Sequence, residues 1–67
     1  MLVEEITSVG WLNNHDGSIC IVACLSCCHV YVTVPKNAFH SVGGINGLKT
    51  NKQLVVDFYV KYGSGRP

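Results

Sequence analysis

The sequence concentrates its most reactive side chains in one short stretch, where thiols and an imidazole follow one another closely. The stretch contains Cys20, Cys24, Cys27, Cys28 and His29. The Cys24-x-x-Cys27 spacing is that of a zinc knuckle, because a tight turn can bring two thiolates within about 2.3 Å of one metal ion. A complete zinc site would need further ligands from Cys20, Cys28 or His29.

Strand geometry argues against a complete zinc site in this cluster. Neighbouring residues on a strand point to opposite faces, so we expect Cys27 and Cys28 not to face the same metal ion. The sequence downstream contains no second Cys-x-x-Cys pair and no His-x₃-His pair. We therefore predict small buried thiols that fill a hairpin, with no metal and no cofactor. A zinc-bound β-module and a disulfide remain as alternatives.

The other reactive side chains do not form a catalytic pattern. The histidines are scattered along the chain, and the four carboxylates are too few and too widely separated for an acid/base pair. Residues 43–50 are glycine-rich, but they lack the adjacent Gly-Lys pair of a phosphate-binding loop. We predict that the protein is not an enzyme.

Composition and charge limit the class of protein. The 67 residues are 48% hydrophobic and 13% charged, with a net charge of +1, which favours a single folded domain over residues 1–67. We find no apolar stretch of the roughly 20 residues that a membrane span needs, and no basic start typical of a signal peptide. We therefore expect a cytoplasmic protein with reduced cysteines. The glycine-rich end, residues 63–67, indicates a possible fragment of a longer protein.

The sequence predicts that the reactive side chains are positioned by β-strands. Short β-branched and aromatic runs, bounded by turn residues, predict three consecutive strands over residues 5–13, 18–25 and 29–35. The Asp16-Gly17 pair predicts a tight turn between the first two strands. Within the third, alternation predicts the valines on one face, with Tyr31 and Thr33 on the other.

The second half of the chain is predicted from the same signals. Residues 36–39 are expected to form one helical turn that carries Phe39 into the core. Residues 41–50 contain three glycines and are expected to form an exposed loop. A long final strand is predicted over residues 53–62, and residues 63–67 are expected to form a turn or tail.

The order of these residues resembles the cold-shock domain family. The first strand and first RNA-binding motif of that family together read Val-Lys-Trp-Phe-Asn, two spacers and Lys-Gly-Phe-Gly-Phe-Ile. The present sequence matches that motif without a gap at Val9, Trp11, Asn13, Gly17 and Ile21. Residues 30–33 are similar to the second motif, Val-Phe-Val-His. Residues 56–63 together with Pro67 are similar to the family's fourth strand and its closing proline.

The resemblance implies an all-β fold, namely a small antiparallel five-stranded Greek-key barrel of the OB type. The family closes this barrel with a fifth strand, whereas the present sequence ends at Pro67. We therefore expect a barrel that is left incomplete, or that is completed by residues 2–8 or by another chain. An open strand edge would be a site for pairing.

The resemblance also implies single-stranded RNA binding, because aromatic side chains on the family's strands form a platform on which bases stack. The predicted site consists of Trp11 and Tyr31 as stacking residues, with Asn13, Thr33 and Lys36 as polar neighbours. Ser18 and Cys20 stand where two further aromatics would lie, and Asp16 replaces a basic residue. We therefore expect weak RNA binding by a non-catalytic module.

A second hypothesis follows from the same departures. A domain that has lost two stacking residues, carries almost no net charge and lacks a fifth strand is typical of a degenerate member of the family. Such a domain would act as a protein-docking or dimerisation module through its open strand edge.

Overall fold

The computed structural model describes residues 1–63, which form an open antiparallel sheet of three strands followed by three short helices. The strands lie in the order β1-β2-β3, so the central strand is flanked by its two sequence neighbours. The strands and helices have these bounds: β1 Ile6–Asn13, β2 Ile19–Leu25, β3 His29–Val34, α1 Lys36–Ser41, α2 Gly44–Thr50 and α3 Gln53–Phe58. A 3₁₀ turn, Val3–Glu5, precedes β1, and a π-helical segment, Tyr59–Gly63, follows α3.

The tight turn between β1 and β2 confirms the prediction from the Asp-Gly pair. Gly17 adopts a φ of 92°, a left-handed conformation that side chains disfavour. The backbone amide of Ser18 donates to Asp16 Oδ1 at 2.9 Å and its hydroxyl donates to the same oxygen at 2.6 Å. Asn14 Nδ2 donates to the Ser18 hydroxyl oxygen at 2.9 Å. Short polar side chains therefore stabilise this turn.

The three strands predicted in the first half of the chain, and the alternation within the third, are confirmed. The three strands differ from the predicted ranges by one residue at an end. On β3, Val32 and Val34 are buried while Tyr31 and Thr33 are exposed. Strand alternation thus divides the sheet into a covered face and an open face.

The helices all contribute to one core on the covered face of the sheet. Helix α1 begins directly after Pro35, and its Phe39 is only 2% exposed, as the sequence predicted. The buried core contains residues from every strand and every helix: Ile6, Val9, Ile19, Ile21, Ala23, Val32, Val34, Phe39, Leu48 and Val55. The domain is therefore two layers, a sheet and a layer of helices.

The predicted loop over residues 41–50 was wrong, because residues 44–50 form helix α2. Gly43 precedes the helix with a φ of 93°. Gly47 packs so closely against the carbonyl of Val42 that a Cβ there would overlap it. Leu48 is fully buried. Burial of Leu48 therefore outweighs the poor helix propensity of two glycines.

The predicted final strand over residues 53–62 was also wrong. These residues form α3 and the π-helical segment, in which Val55 is buried and Leu54 and Phe58 are half-buried. Spacings of three and four residues place these side chains on one side of a helix. The π-helical segment lies against β3, since a Cβ on Gly63 would approach Val32 Cγ2 at 3.2 Å.

The expected five-stranded barrel is therefore not the fold of the described residues, which form an open three-stranded sheet with helices. The N-terminal residues do not close a barrel, because they form the 3₁₀ turn that leads into β1. Of the expected turn or tail, Gly63 ends the π-helical segment, and residues 64–67, including Pro67, lie outside the described residues. No helix within residues 1–63 is long and apolar enough to cross a membrane.

Candidate binding surface

The register of the sheet decides which side chains share its open face. Residues paired across antiparallel strands point to the same side, and their neighbours along each strand point to the other. Val9, Ala23 and Val30 are paired in this way and point into the core. The opposite side, which we call the outer face, carries three rows: Leu12, Cys20 and Thr33; Gly10, Val22 and Tyr31; Ser8, Cys24 and His29.

The outer face is uncharged and open to solvent. With histidine neutral, none of its residues carries a formal charge, although the chain contains five basic residues (Lys and Arg) and four acidic residues (Asp and Glu). Tyr31 is 63% exposed and Leu12 is 48% exposed. On the central strand, Val22 and the two cysteines are half-buried by their neighbours. This chemistry suits contact with another uncharged surface.

The middle row of the outer face combines a protruding side chain with a gap. Tyr31 lies on one edge strand, Val22 on the central strand and Gly10 on the other edge strand. A Cβ built on Gly10 would meet nothing within 4 Å, and the φ of Gly10 is not in the left-handed region. The gap is therefore open space that the monomer does not use.

Trp11 belongs to the opposite, covered face. Its cross-strand partner is Ile21, which is fully buried, and its ring lies 5.4 Å from the ring of Phe39. Trp11 stays 43% exposed because β1 is an edge strand. The centre of the His40 ring lies 5.5 Å from the centre of the Phe39 ring. Trp11 thus forms the rim of the core.

The predicted RNA-binding residues are divided between the two faces. Asn13 shares the covered side with Trp11, because its partner Ile19 is buried. Tyr31 and Thr33 lie on the outer face, and Lys36 is the first residue of α1. The structure therefore does not bring Trp11 and Tyr31 together into one stacking platform.

Sequence reasoning missed the outer-face residues Gly10, Leu12 and Val22. A signal was present, because strict alternation through Val9 and Trp11 places Gly10 and Leu12 opposite to them. The same alternation places Tyr31 opposite to the buried valines of β3. The family pattern, which places both aromatics on one surface, obscured that signal.

The cysteines are free thiols, and the prediction that they are buried was wrong, because none of them lies in the core. Cys20 and Cys24 are half-buried on the outer face, whereas Cys27 and Cys28 are exposed in the turn between β2 and β3. Their Sγ atoms lie 3.3 Å apart, so the expectation that these neighbours diverge was wrong. Strand alternation does not extend into a turn. Within residues 1–63 no group of three or more His, Cys, Asp or Glu residues is arranged to hold a metal ion.

Charged groups lie around the sheet rather than on its outer face. Lys52 Nζ donates to the carbonyl oxygen of Ile6 at 3.3 Å, and Lys61 Nζ lies 5.3 Å from the centre of the Tyr62 ring. In the turn at the end of β1, two hydrogen bonds from Ser18 lower the pKa of Asp16 below its ordinary value. The hydrogen bond from the Ser18 hydroxyl has the larger effect.

Comparison of the chain with protein-family models, with curated proteins and with solved structures found no match. The resemblance to cold-shock domains therefore stays a prediction. The geometry of the two faces is the basis for the function proposed below.

Proposed function

We propose that the protein is a non-catalytic binding module that associates with a second copy of itself through its outer face. The observation that carries this proposal is the middle row of that face, where Tyr31 protrudes and Gly10 leaves a gap on an uncharged surface. The sequence analysis also suggested dimerisation, but through an open strand edge, whereas the surface proposed here is the outer face of the sheet.

The uncharged face favours a second copy over a charged partner. Phosphate groups and charged peptides are recognised by side chains of opposite charge, and the outer face has none. Two copies of an uncharged face meet without repulsion. Because a two-fold interface uses the same patch twice, the patch must complement itself.

The rows of the outer face provide that complementarity. Two sheets stacked face to face keep their strands roughly aligned, about 10 Å apart. We place the two-fold axis parallel to β2 and midway between the two sheets. Each β3 then lies over the partner's β1, and each row of the outer face lies opposite the same row of the partner. Tyr31 of one copy then faces the gap at Gly10 of the other, and the two Val22 side chains meet at the axis.

The size of the face predicts a weak dimer. Three strands spaced about 4.8 Å apart, with a central strand of seven residues, cover roughly 300 Å² per copy and roughly 600 Å² in the pair. Stable complexes bury about 1,200 Å² or more, so this interface belongs with transient ones. We expect a dissociation constant between about 1 μM and 1 mM, equivalent to about 4–8 kcal/mol.

Sedimentation equilibrium over a wide range of concentration tests the proposal. Wild-type protein is expected to show reversible dimerisation, and Gly10→Val is expected to be monomeric. Valine suits a strand, and its Cβ meets no atom of the monomer, so the variant should fold while its side chain fills the gap that receives Tyr31. Tyr31→Ala is expected to weaken the dimer at least about tenfold, as loss of an interface aromatic does.

A matched pair of leucines supplies the control. Leu12 lies on the outer face and Leu2 lies outside it, and both side chains are about half exposed or more, at 48% and 63%. Leu12→Ala should weaken dimerisation, whereas Leu2→Ala should leave it unchanged. A strictly monomeric wild type, or a Gly10→Val variant that dimerises like the wild type, would contradict the proposal.

A further inference from the structure

The turn between β2 and β3 places two thiols side by side at one end of the sheet. The backbone amide of Leu25 donates to the carbonyl oxygen of Cys28 at 2.8 Å, which closes the turn around Ser26 and Cys27. Cys27 Sγ and Cys28 Sγ lie 3.3 Å apart, and both residues are exposed. The pair lies beyond the last row of the outer face, so the proposed dimer does not use it.

The separation of the two sulfur atoms selects the kind of ligand that can bridge them. A tetrahedral zinc ion with bonds of about 2.3 Å holds its sulfur ligands about 3.8 Å apart and needs four ligands. With bonds of similar length, a separation of 3.3 Å corresponds to an angle of about 90° at the bridging atom. Trivalent arsenic has this geometry, because its three bonds form a pyramid with angles close to a right angle.

The number of thiols agrees with the same ligand class. The described residues supply no third ligand to this pair. The pKa of the Cys28 thiol is raised, first by its hydrogen bond with Cys27, then by partial desolvation and by the negative charges of Cys27 and Glu5. Two thiols without a third ligand are too few for the four-coordinate site that zinc requires.

We propose that Cys27 and Cys28 form a bidentate site for a trivalent arsenical. An organoarsenous acid, R–As(OH)₂, exchanges both hydroxyl groups for the two sulfur atoms. Two As–O bonds break, two As–S bonds form, and each thiol proton leaves with a hydroxyl group as water. Neither arsenic nor sulfur changes its oxidation state, so the step requires no oxidant or reductant.

The matched control is the other pair of cysteines. Cys20 and Cys24 lie on the same face of β2, four residues apart, which corresponds to about 13 Å along a strand. One arsenic atom cannot bridge that distance. Cys27 and Cys28 therefore meet the geometric requirement, whereas Cys20 and Cys24 do not.

Native mass spectrometry with phenylarsine oxide tests the site in the reduced protein of residues 1–67. We expect one adduct per chain that persists in excess glutathione and is removed by the small dithiol 2,3-dimercaptopropanol. Cys27→Ser and Cys28→Ser should each weaken binding at least about 100-fold, because the second bond forms at a high effective concentration. The double variant Cys20→Ser/Cys24→Ser should bind like the wild type.

Thermal unfolding of each variant shows whether the fold is retained, and serine should be tolerated at two exposed turn positions. Three results would each overturn the proposal: a folded wild type that forms no glutathione-resistant adduct, undiminished binding by Cys27→Ser or Cys28→Ser, or loss of the adduct from the Cys20→Ser/Cys24→Ser variant.

Discussion

The two faces of the central strand contrast sharply although their residues alternate along one chain. On the covered face, Ile19, Ile21 and Ala23 are at most 1% exposed. On the outer face, Val22 and its cysteine neighbours are only half-buried. The open face of an antiparallel sheet is ordinarily polar. The outer face departs from this pattern at Leu12, Val22 and the two cysteines, and this departure is a basis of the proposed self-association.

The largest expected difference between the two faces is in the loss of stability when adjacent residues of β2 are replaced by alanine. Ile21→Ala should lower the free energy of unfolding by about 2–5 kcal/mol, because it leaves a cavity in the core. A domain of this size has only about 3–10 kcal/mol in total. Val22→Ala should cost the monomer less than about 1 kcal/mol and should weaken the dimer. Chemical denaturation at low protein concentration measures the two changes in the free energy of unfolding, and sedimentation equilibrium measures the change in dimerisation.

The pair is matched because each change removes a β-branched side chain from the same strand. Equal losses for Ile21→Ala and Val22→Ala in the monomer would mean that something covers the outer face within the chain itself. The contrast between the faces, and with it the docking surface, would then have to be abandoned.

The fold is predictable from the sequence where local signals and burial agree. Alternating valines, the Asp16-Gly17 turn and the apolar Phe39 after Pro35 identify the first half of the chain correctly. In the second half, local and tertiary effects conflict. Gly44 and Gly47 disfavour a helix, but the burial of Leu48 against the sheet overrides that preference.

The error in α3 has a different origin. Residues 53–62 are rich in Val, Tyr and Phe, which favour strands. Yet Leu54, Val55 and Phe58 also recur at helical spacing, and the side chain of Asn51 accepts a hydrogen bond from the amide of Gln53 at the start of the helix. The strand-forming composition of residues 53–62 therefore predicts a final strand, whereas the helical spacing of their apolar side chains agrees with the helix that forms.

The candidate surface was only partly accessible from sequence. Alternation assigns each side chain to a face, but it does not say which face the helices cover. That choice depends on the packing of Leu48 and Val55, which lie far along the chain. The contact between Cys27 and Cys28 was inaccessible, because it depends on the conformation of a turn.

The aromatic residues of the two faces provide a smaller effect, and they test the RNA prediction directly. Trp11 and Tyr31 lie on opposite faces, so each can stack at most its own base. One stacked base contributes about 1–3 kcal/mol, below the roughly 4 kcal/mol of a 1 mM complex. Titration with oligouridine at low salt should therefore leave the fluorescence of Trp11 without a saturating change below about 1 mM.

The same titration with Tyr31→Ala shows whether Trp11 and Tyr31 bind one RNA strand together or act independently on opposite faces. We expect both traces to be alike. A saturating change in the wild type that Tyr31→Ala removes would mean that the two aromatics act on one strand of RNA, and the RNA-binding hypothesis would replace self-association.

The smallest expected effect on stability is that of Asp16, which lies in the turn between β1 and β2 and on neither face of the sheet. Because hydrogen bonds from Ser18 lower the pKa of Asp16, the ionised carboxylate stabilises the folded state above pH 3.8, and that contribution is lost as the pH falls through the lower folded-state value. Wild type should therefore be more stable than Asp16→Asn at about pH 7, and the difference should shrink as the pH falls below 3.8. Ser18→Ala should reduce stability less in the Asp16→Asn background than in the wild type, since the two residues share one interaction. A constant difference from neutral to acidic pH would mean that the turn is held by its geometry and not by the charge of Asp16.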